Sequence, residues 1–192
     1  MSRILPPPRS GLLGHWDRFV GPGMTAGETS LVIAAAVIGT LAAALHLALS
    51  GSTVLQILIG GLIAFDVIGG AVCNCTDTTK RWYHRSGQTF ADQFGFVALH
   101  VLHIALIAVI FRGDGVDFVY AGLASAWLLV SAYATMASPS LLKNPVAVSC
   151  YLIALAMMFY VLGPTSGMEW FLPALFVKLL IGHAVPPERT DA

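Results

Sequence analysis

The sequence predicts an all-α, polytopic integral membrane protein, a bundle of six transmembrane helices with both termini on the cytoplasmic side. Three observations carry this reading. The chain is 57% hydrophobic and only 10% charged, whereas soluble domains carry about 25% charged residues. Its apolar runs are long enough to cross a hydrocarbon core of about 30 Å, which takes roughly 20 helical residues. Lysine and arginine gather in alternate connections, the pattern that keeps positive loops in the cytoplasm. Formal net charge is zero, which argues against a nucleic-acid partner, since such a partner needs a basic face. The expected location is the cell membrane, of the bacterial inner-membrane type, with membrane lipid as the surrounding partner.

Residues 1–29 read as a cytoplasmic arm. Pro6, Pro7, Pro8 and Pro22 interrupt it, and no compact apolar core ends in a small-residue cleavage site, so it is not a cleaved signal peptide. His15–Val20 mixes aromatic and charged side chains, a composition suited to the headgroup level; an irregular tail is the plainer alternative. The first span, 30–49, is entered past Glu28, which suits the positive end of a helix dipole. It is rich in alanine, and small residues let helix backbones approach closely in a membrane. His46 stands near its outer end, where an interfacial histidine is the plain reading.

A turn at Ser50–Thr53 leads into the second span, 54–72, which Gly60-Gly61 and Gly69-Gly70 interrupt. Asp66, Gly70 and Asn74 recur at helical spacing and share one face. Such a polar stripe faces protein or water, not lipid. The loop that follows holds Asp77, Lys80, Arg81, Trp82, Tyr83, His84 and Arg85. In the third span, 93–111, Asp92 at the entry and His100 and His103 inside fall within about 80° of one another on a helix of 3.6 residues per turn.

The fourth span, 118–137, closes at Ser138-Pro139-Ser140, and the fifth, 145–162, opens with Asn144-Pro145, a capping residue and a proline whose missing N–H does no harm. Both read as scaffold. The sixth segment, 168–185, is short and contains Pro173, Lys178 and His183, so an interfacial or re-entrant course is its alternative. Pro173 is expected to kink it near the outer face. Pro186-Pro187 ends it, and residues 186–192 form a cytoplasmic tail. Orientation follows from Arg3, Arg9, Arg18, Lys80, Arg81, Arg85, Lys143 and Arg189 on one side, against Arg112 beside Asp114 and Asp117 on the other. The charged hairpin of the first half has no counterpart in the second, which weighs against an inverted-repeat transporter.

Counting depth from Asn74 and from Asp92, Asp66 and His100 each lie about 12 Å inside the cytoplasmic end at about 1.5 Å per residue. His103 lies one turn deeper, and Lys178 reaches about 10 Å if its helix leaves the membrane near Val185. Ionisable side chains in hydrocarbon cost several kcal/mol unless paired or solvated, so such groups mark sites. Asp66, His100, His103 and Lys178 are therefore the candidate catalytic set. Lys80, Arg81, His84 and Arg85 are candidates for an anionic headgroup, since arginine offers bidentate hydrogen bonds; a positive-inside aromatic belt produces the same string without a ligand.

A divalent metal such as zinc or iron would draw on His100 and His103 with Asp66 and Asp92. However, His100-x-x-His103 is not the His-Glu-x-x-His helix motif. An axial haem pair would need His100 with His46 or His183, and His46 lies near the opposite face. Cys73, Cys75 and Cys150 fall at cytoplasmic helix ends and give no disulfide framework. There is no Gly-x-Ser-x-Gly elbow and no P-loop.

The leading expectation is a membrane enzyme acting on a lipid-like or amphiphilic substrate at the cytoplasmic interface, with Asp66 and His100 sharing acid–base work. A small proton- or cation-coupled transporter or membrane substrate-binding component would use the same residues as a relay. A non-catalytic subunit of a membrane complex is the third reading. The structural alternative to all three is a polar clasp, in which Asp66 pairs with Lys178 and His100 binds a backbone carbonyl.

Overall fold

The structure, a computed structural model, describes residues 5–187. Arg3 and Arg189, the latter in the expected tail, lie outside the described residues. Helices run α1 (Gly11–Val20), α2 (Ala26–Leu49), α3 (Val54–Cys75), α4 (Asp77–Tyr83), α5 (Phe90–Leu99), α6 (Val101–Ile110), α7 (Phe118–Ala137), α8 (Lys143–Met157) and α9 (Phe171–Phe176). Wider π-type turns extend α8 through Met158–Leu162 and α9 through Val177–Ala184. No strand occurs among the described residues.

Five helical segments are long and apolar enough to cross a bilayer: α2, α3, α5 with α6, α7, and Ser140–Leu162. The sixth expected span is corrected to Phe171–Ala184, which is shorter. Several starts also move. Reciprocal capping boxes open α2 at Thr25 with Glu28, α3 at Thr53 with Gln56, and α5 at Thr89 with Asp92, so the first and third spans begin earlier than hydropathy alone suggests. A capping box satisfies two otherwise orphaned backbone donors at a helix start, and charge in the first turn hides this boundary from an apolar window.

Successive long helices run antiparallel, which puts α1, α4 and the start of α5 at one end of the bundle, the loop end. The tight connections Ser50–Thr53, Arg112–Asp117 and Gly163–Trp170 lie at the other, the turn end. The shortened last segment is the core of the molecule. Phe171, Leu175, Leu179, Leu180 and Ala184 are fully buried, packed against α3, α7 and α8. A helix surrounded by protein is apolar all round, and it needs no length to match a lipid core. Pro173 falls in the first turn of α9, where no backbone partner is lost; the expected kink gives way to a widening at Val177.

That widening leaves carbonyls to be met from outside the helix. Asn74 Nδ2 donates to Lys178 O at 3.1 Å and Lys80 Nζ to Ile181 O at 3.0 Å. His84 Nε2 meets His183 O at 2.8 Å. Asn74 at the end of α3, Lys80 on α4 and His84 just after it thus tie down the second half of α9.

The expected N-terminal arm contains a folded helix. Arg9 forks onto Asp17, with Nε at 2.8 Å from Oδ2 and Nη2 at 2.6 Å from Oδ1, and the Arg9 N–H adds a third bond. These hydrogen bonds hold the Asp17 carboxyl down at about 2. The C-terminal turn of α1 rests on α4: Trp82 Nε1 donates to Arg18 O and Tyr83 Oη to Phe19 O.

Candidate functional site

Asp66 sits mid-way along α3, and three side chains from other segments converge on it. Lys178 Nζ, on the widened part of α9, donates to Asp66 Oδ2 at 2.6 Å and to Asp66 O at 3.2 Å. His103 Nε2, on α6, lies 3.2 Å from the same Oδ2, and His100 Nε2 lies 3.9 Å from it. The set expected from depth is therefore brought together. The nearer imidazole is His103, not His100.

His100 explains why. Its Nδ1 lies 2.8 Å from Phe96 O, the carbonyl its own amide would use in a regular helix. The amide instead bonds Val97 O at 3.0 Å, so α5 ends and the chain tightens before α6 begins. With Nδ1–H committed to Phe96, neutral His100 presents only a lone pair at Nε2. His103 is the donor to Asp66, and that bond fixes its tautomer: Nε2 carries the proton and Nδ1 keeps its lone pair. Nδ1 is buried and without a partner. The two imidazoles stack, with centroids 5.1 Å apart.

Sequence makes room for this arrangement. A Cβ on Gly70 would lie 2.6 Å from Lys178 Cε, so only glycine on that face of α3 lets the lysine stem lie flat against the helix. The set is sealed on one side and open on the other. Lys178 and His100 side chains are 3% and 8% exposed, while those of Asp66 and His103 are 35% and 26% exposed. The open side lies between α3 and α6, the helices that carry the exposed Asp66 and His103. Gln56 Nε2 bridges α3 to Ile110 O at the turn end of this cleft. Exposed Leu62, Phe65, Leu99, Leu102 and Leu106 flank it.

The other expected residues stand apart. Asp92 closes the cap of α5, about 16 Å along the helix axis from His103 by the 1.5 Å rise, so it does not join Asp66 around a metal. Among the described residues no group of three or more His, Cys, Asp or Glu is arranged to hold a metal ion. The Lys178 ammonium already occupies the cation position on Asp66. His100 and His183 both pack on the Phe96 ring, at 4.9 and 4.4 Å between centroids, which leaves no axial pair facing a common centre. His46 lies toward the turn end beside Glu169 and Trp170.

The loop cations do not converge over the site. Lys80 and His84 reach α9 carbonyls, Arg81 pairs with Asp77, and Arg85 lies over the Trp82 ring at 3.6 Å while donating to Trp82 O. Burial lowers the His84 pKa. Its contacts fit one neutral tautomer, since Nε2 donates to His183 O and Nδ1 accepts from Gln93 Nε2 at 3.3 Å.

Sequence reasoning missed two participants: Phe96, which separates the inner imidazoles from His183, and Gln93, which joins the loop to α5. Asn74, placed by its spacing on the Asp66 face, holds the Lys178 carbonyl. Compared with family models, with curated proteins and with solved structures, the chain finds no match. What fold and cluster define is a class: an all-helical protein with five helices long and apolar enough to be membrane spans, and a partly exposed Asp–His–Lys set in the helical bundle.

Proposed function

We propose that this chain is a multi-pass membrane protein, its loop end cytoplasmic, that performs acid–base chemistry on a lipid-like amphiphile whose polar group enters sideways between α3 and α6. The single observation that carries the reading is the uneven burial of the cluster: Asp66 and His103 stay about a third and a quarter exposed while Lys178 and His100 are sealed behind them. A clasp that only holds helices together gains by burying every member, since partly wetted ion pairs contribute little. Orientation rests on the loop-end cations.

In this reading the Asp66 carboxylate, partly exposed with His103 on the open side, takes a proton from a hydroxyl, amine or activated carbon of the substrate. The His103 Nε2–H and the sealed Lys178 ammonium donate to Asp66 Oδ2 and hold that carboxylate in place. The exposed Leu62 and Phe65 on α3, and Leu99 and Leu102 near His103, suit an apolar chain beside that polar group.

The test uses the whole protein in nanodiscs with a total membrane lipid extract, followed by mass spectrometry of the lipids. New lipid species with wild type, absent with Asp66→Asn and with His103→Gln, support the proposal. If no lipid changes and sealed proteoliposomes instead show solute-dependent proton uptake abolished by the same substitutions, the site is a relay and the enzyme reading falls.

A further inference from the structure

The second feature concerns α1. Its buried side holds Gly14, Asp17 and Val20. Val20, with Trp16 beside it, packs against Val32 of α2 and Val72 and Cys73 of α3. Val32 lies about 9 Å inside the start of α2 at 1.5 Å per residue, so α1 rests against the flank of the bundle just inside the loop end. Exposed on α1 beside His15 and Arg18 are three large apolar side chains, Leu12, Leu13 and Phe19, at 89%, 57% and 58%. At 100° per residue Leu12, Leu13, Trp16, Phe19 and Val20 cover an arc of about 120°, with Arg18 opposite and His15 at its border beside Phe19.

Three hydrogen-bonded anchors on α4 fix this pose, at Arg18 O, Phe19 O and Val20 O. The Arg9 fork neutralises the carboxylate of Asp17, the acidic residue on α1. On α2, Leu31 and Ile33, on either side of the contacted Val32, are exposed apolar residues at the same level. An amphipathic helix held at that depth, with its polar side outward and apolar side level with lipid-facing leucines, is built for the boundary between headgroups and acyl chains.

We propose that α1 lies in the loop-side leaflet, with Leu12, Leu13 and Phe19 inserted among the acyl chains, and that it is the membrane-surface anchor of the N-terminal segment. Its occupant is lipid, not a second chain. This stands independently of what the Asp66 cluster does.

The test is photolabelling of the whole protein in nanodiscs of phosphatidylcholine carrying a diazirine high on the acyl chain, with peptide mapping by mass spectrometry. Label on Leu12, Leu13 and Phe19, and its loss from this peptide in Leu12→Glu/Phe19→Glu while the α2 and α3 peptides stay labelled, is the expected result. Because that variant keeps the anchors on α4, the α2 and α3 labelling reports that the bundle is intact. Absence of label from residues 11–20 in wild type, with the spans labelled, overturns the proposal. So does a chemical cross-link between the α1 segments of two copies that accounts for the whole face.

Discussion

Two charged clusters, one around Asp66 and one around Arg112, are built from similar groups and finished differently. Arg112, at the turn end, donates Nε to Asp117 at 3.0 Å, Nη2 to Leu162 O at 2.6 Å, and Nη1 to Gly163 O, Pro164 O and Thr165 Oγ1 at 3.0–3.2 Å. Its guanidinium also lies over the Tyr120 ring at 4.5 Å. The Tyr120 N–H and then Arg112 hold the Asp117 carboxyl below the usual carboxylate range. Each nitrogen of that guanidinium has a partner, and the partners are mostly backbone carbonyls of the connection entering α9. Around Asp66, by contrast, the contacts crowd onto one oxygen, His103 Nδ1 has no partner, and one side is open. A fully paired set indicates a fastener; an unpaired group beside an opening indicates a site.

The contrast breaks first at the fastener. Arg112→Ala removes the partner of several carbonyls and of Asp117, and is expected to cost on the order of 3–5 kcal/mol of stability, as for loss of one member of a buried pair. Thermal unfolding in detergent should show a large fall, and any loss of activity should track it. A near-wild-type melting temperature would mean that the clamp is ornamental.

At Asp66 the expected stability effect is smaller. Asp66→Asn and Lys178→Met each leave one charge without its partner, at about 2 kcal/mol once the partial exposure of Asp66 is discounted. The double variant should recover much of that loss, because an apolar replacement of both partners is often neutral. Function, in contrast, should stay absent in all three. Recovery of both stability and activity in the double variant would return the pair to the role of clasp.

How much of this was legible beforehand differs between the clusters for physical reasons. Asp66, His100, His103 and Lys178 were placed together by depth alone, because helical rise is constant and antiparallel neighbours share a level. The order of the two histidines was not legible: it depends on the His100 imidazole taking the Phe96 carbonyl, a local choice with no pattern in composition. Arg112 read as a lone outer cation since its partners are main-chain carbonyls, which sequence does not display. The core position of Phe171–Ala184 was hidden by the same apolar character that marks a span. Helix α1 owes its pose to the Arg9–Asp17 fork and to α4, which lies outside any local window.

Two histidine variants sharpen the contrast within the cluster. His103→Gln is expected to cost under about 1 kcal/mol of stability, the net value of one hydrogen bond, yet to abolish activity. His100→Gln should lose stability more than function, since its Nδ1 bond shapes the joint between α5 and α6. Measuring melting temperature and turnover on the same two preparations separates the roles.

The smallest expected effect is a pH response at the loop end. Burial lowers the His84 pKa, with Lys143 and Lys80 nearby also opposing its charge. A base with a lowered folded-state value contributes stability while neutral, and loses it as pH falls below the ordinary imidazole value of about 6.5. Hydrogen exchange of residues 84–93 should therefore rise on mild acidification relative to the intrinsic rate. His84→Gln should flatten that response while leaving the Arg112 connection unchanged.

The most direct measurement of whether Asp66 is reached from the bilayer is modification by an apolar carbodiimide, which acts on carboxyl groups approached from hydrocarbon. It is applied to the protein in nanodiscs and mapped by mass spectrometry, in wild type and in Lys178→Met, where the carboxyl has lost its ammonium partner. A laterally open site predicts an adduct on Asp66 that increases in Lys178→Met and diminishes when a long-chain amphiphile is added in excess. No adduct on Asp66 in Lys178→Met, with the protein folded, would contradict the lateral opening and leave a sealed clasp.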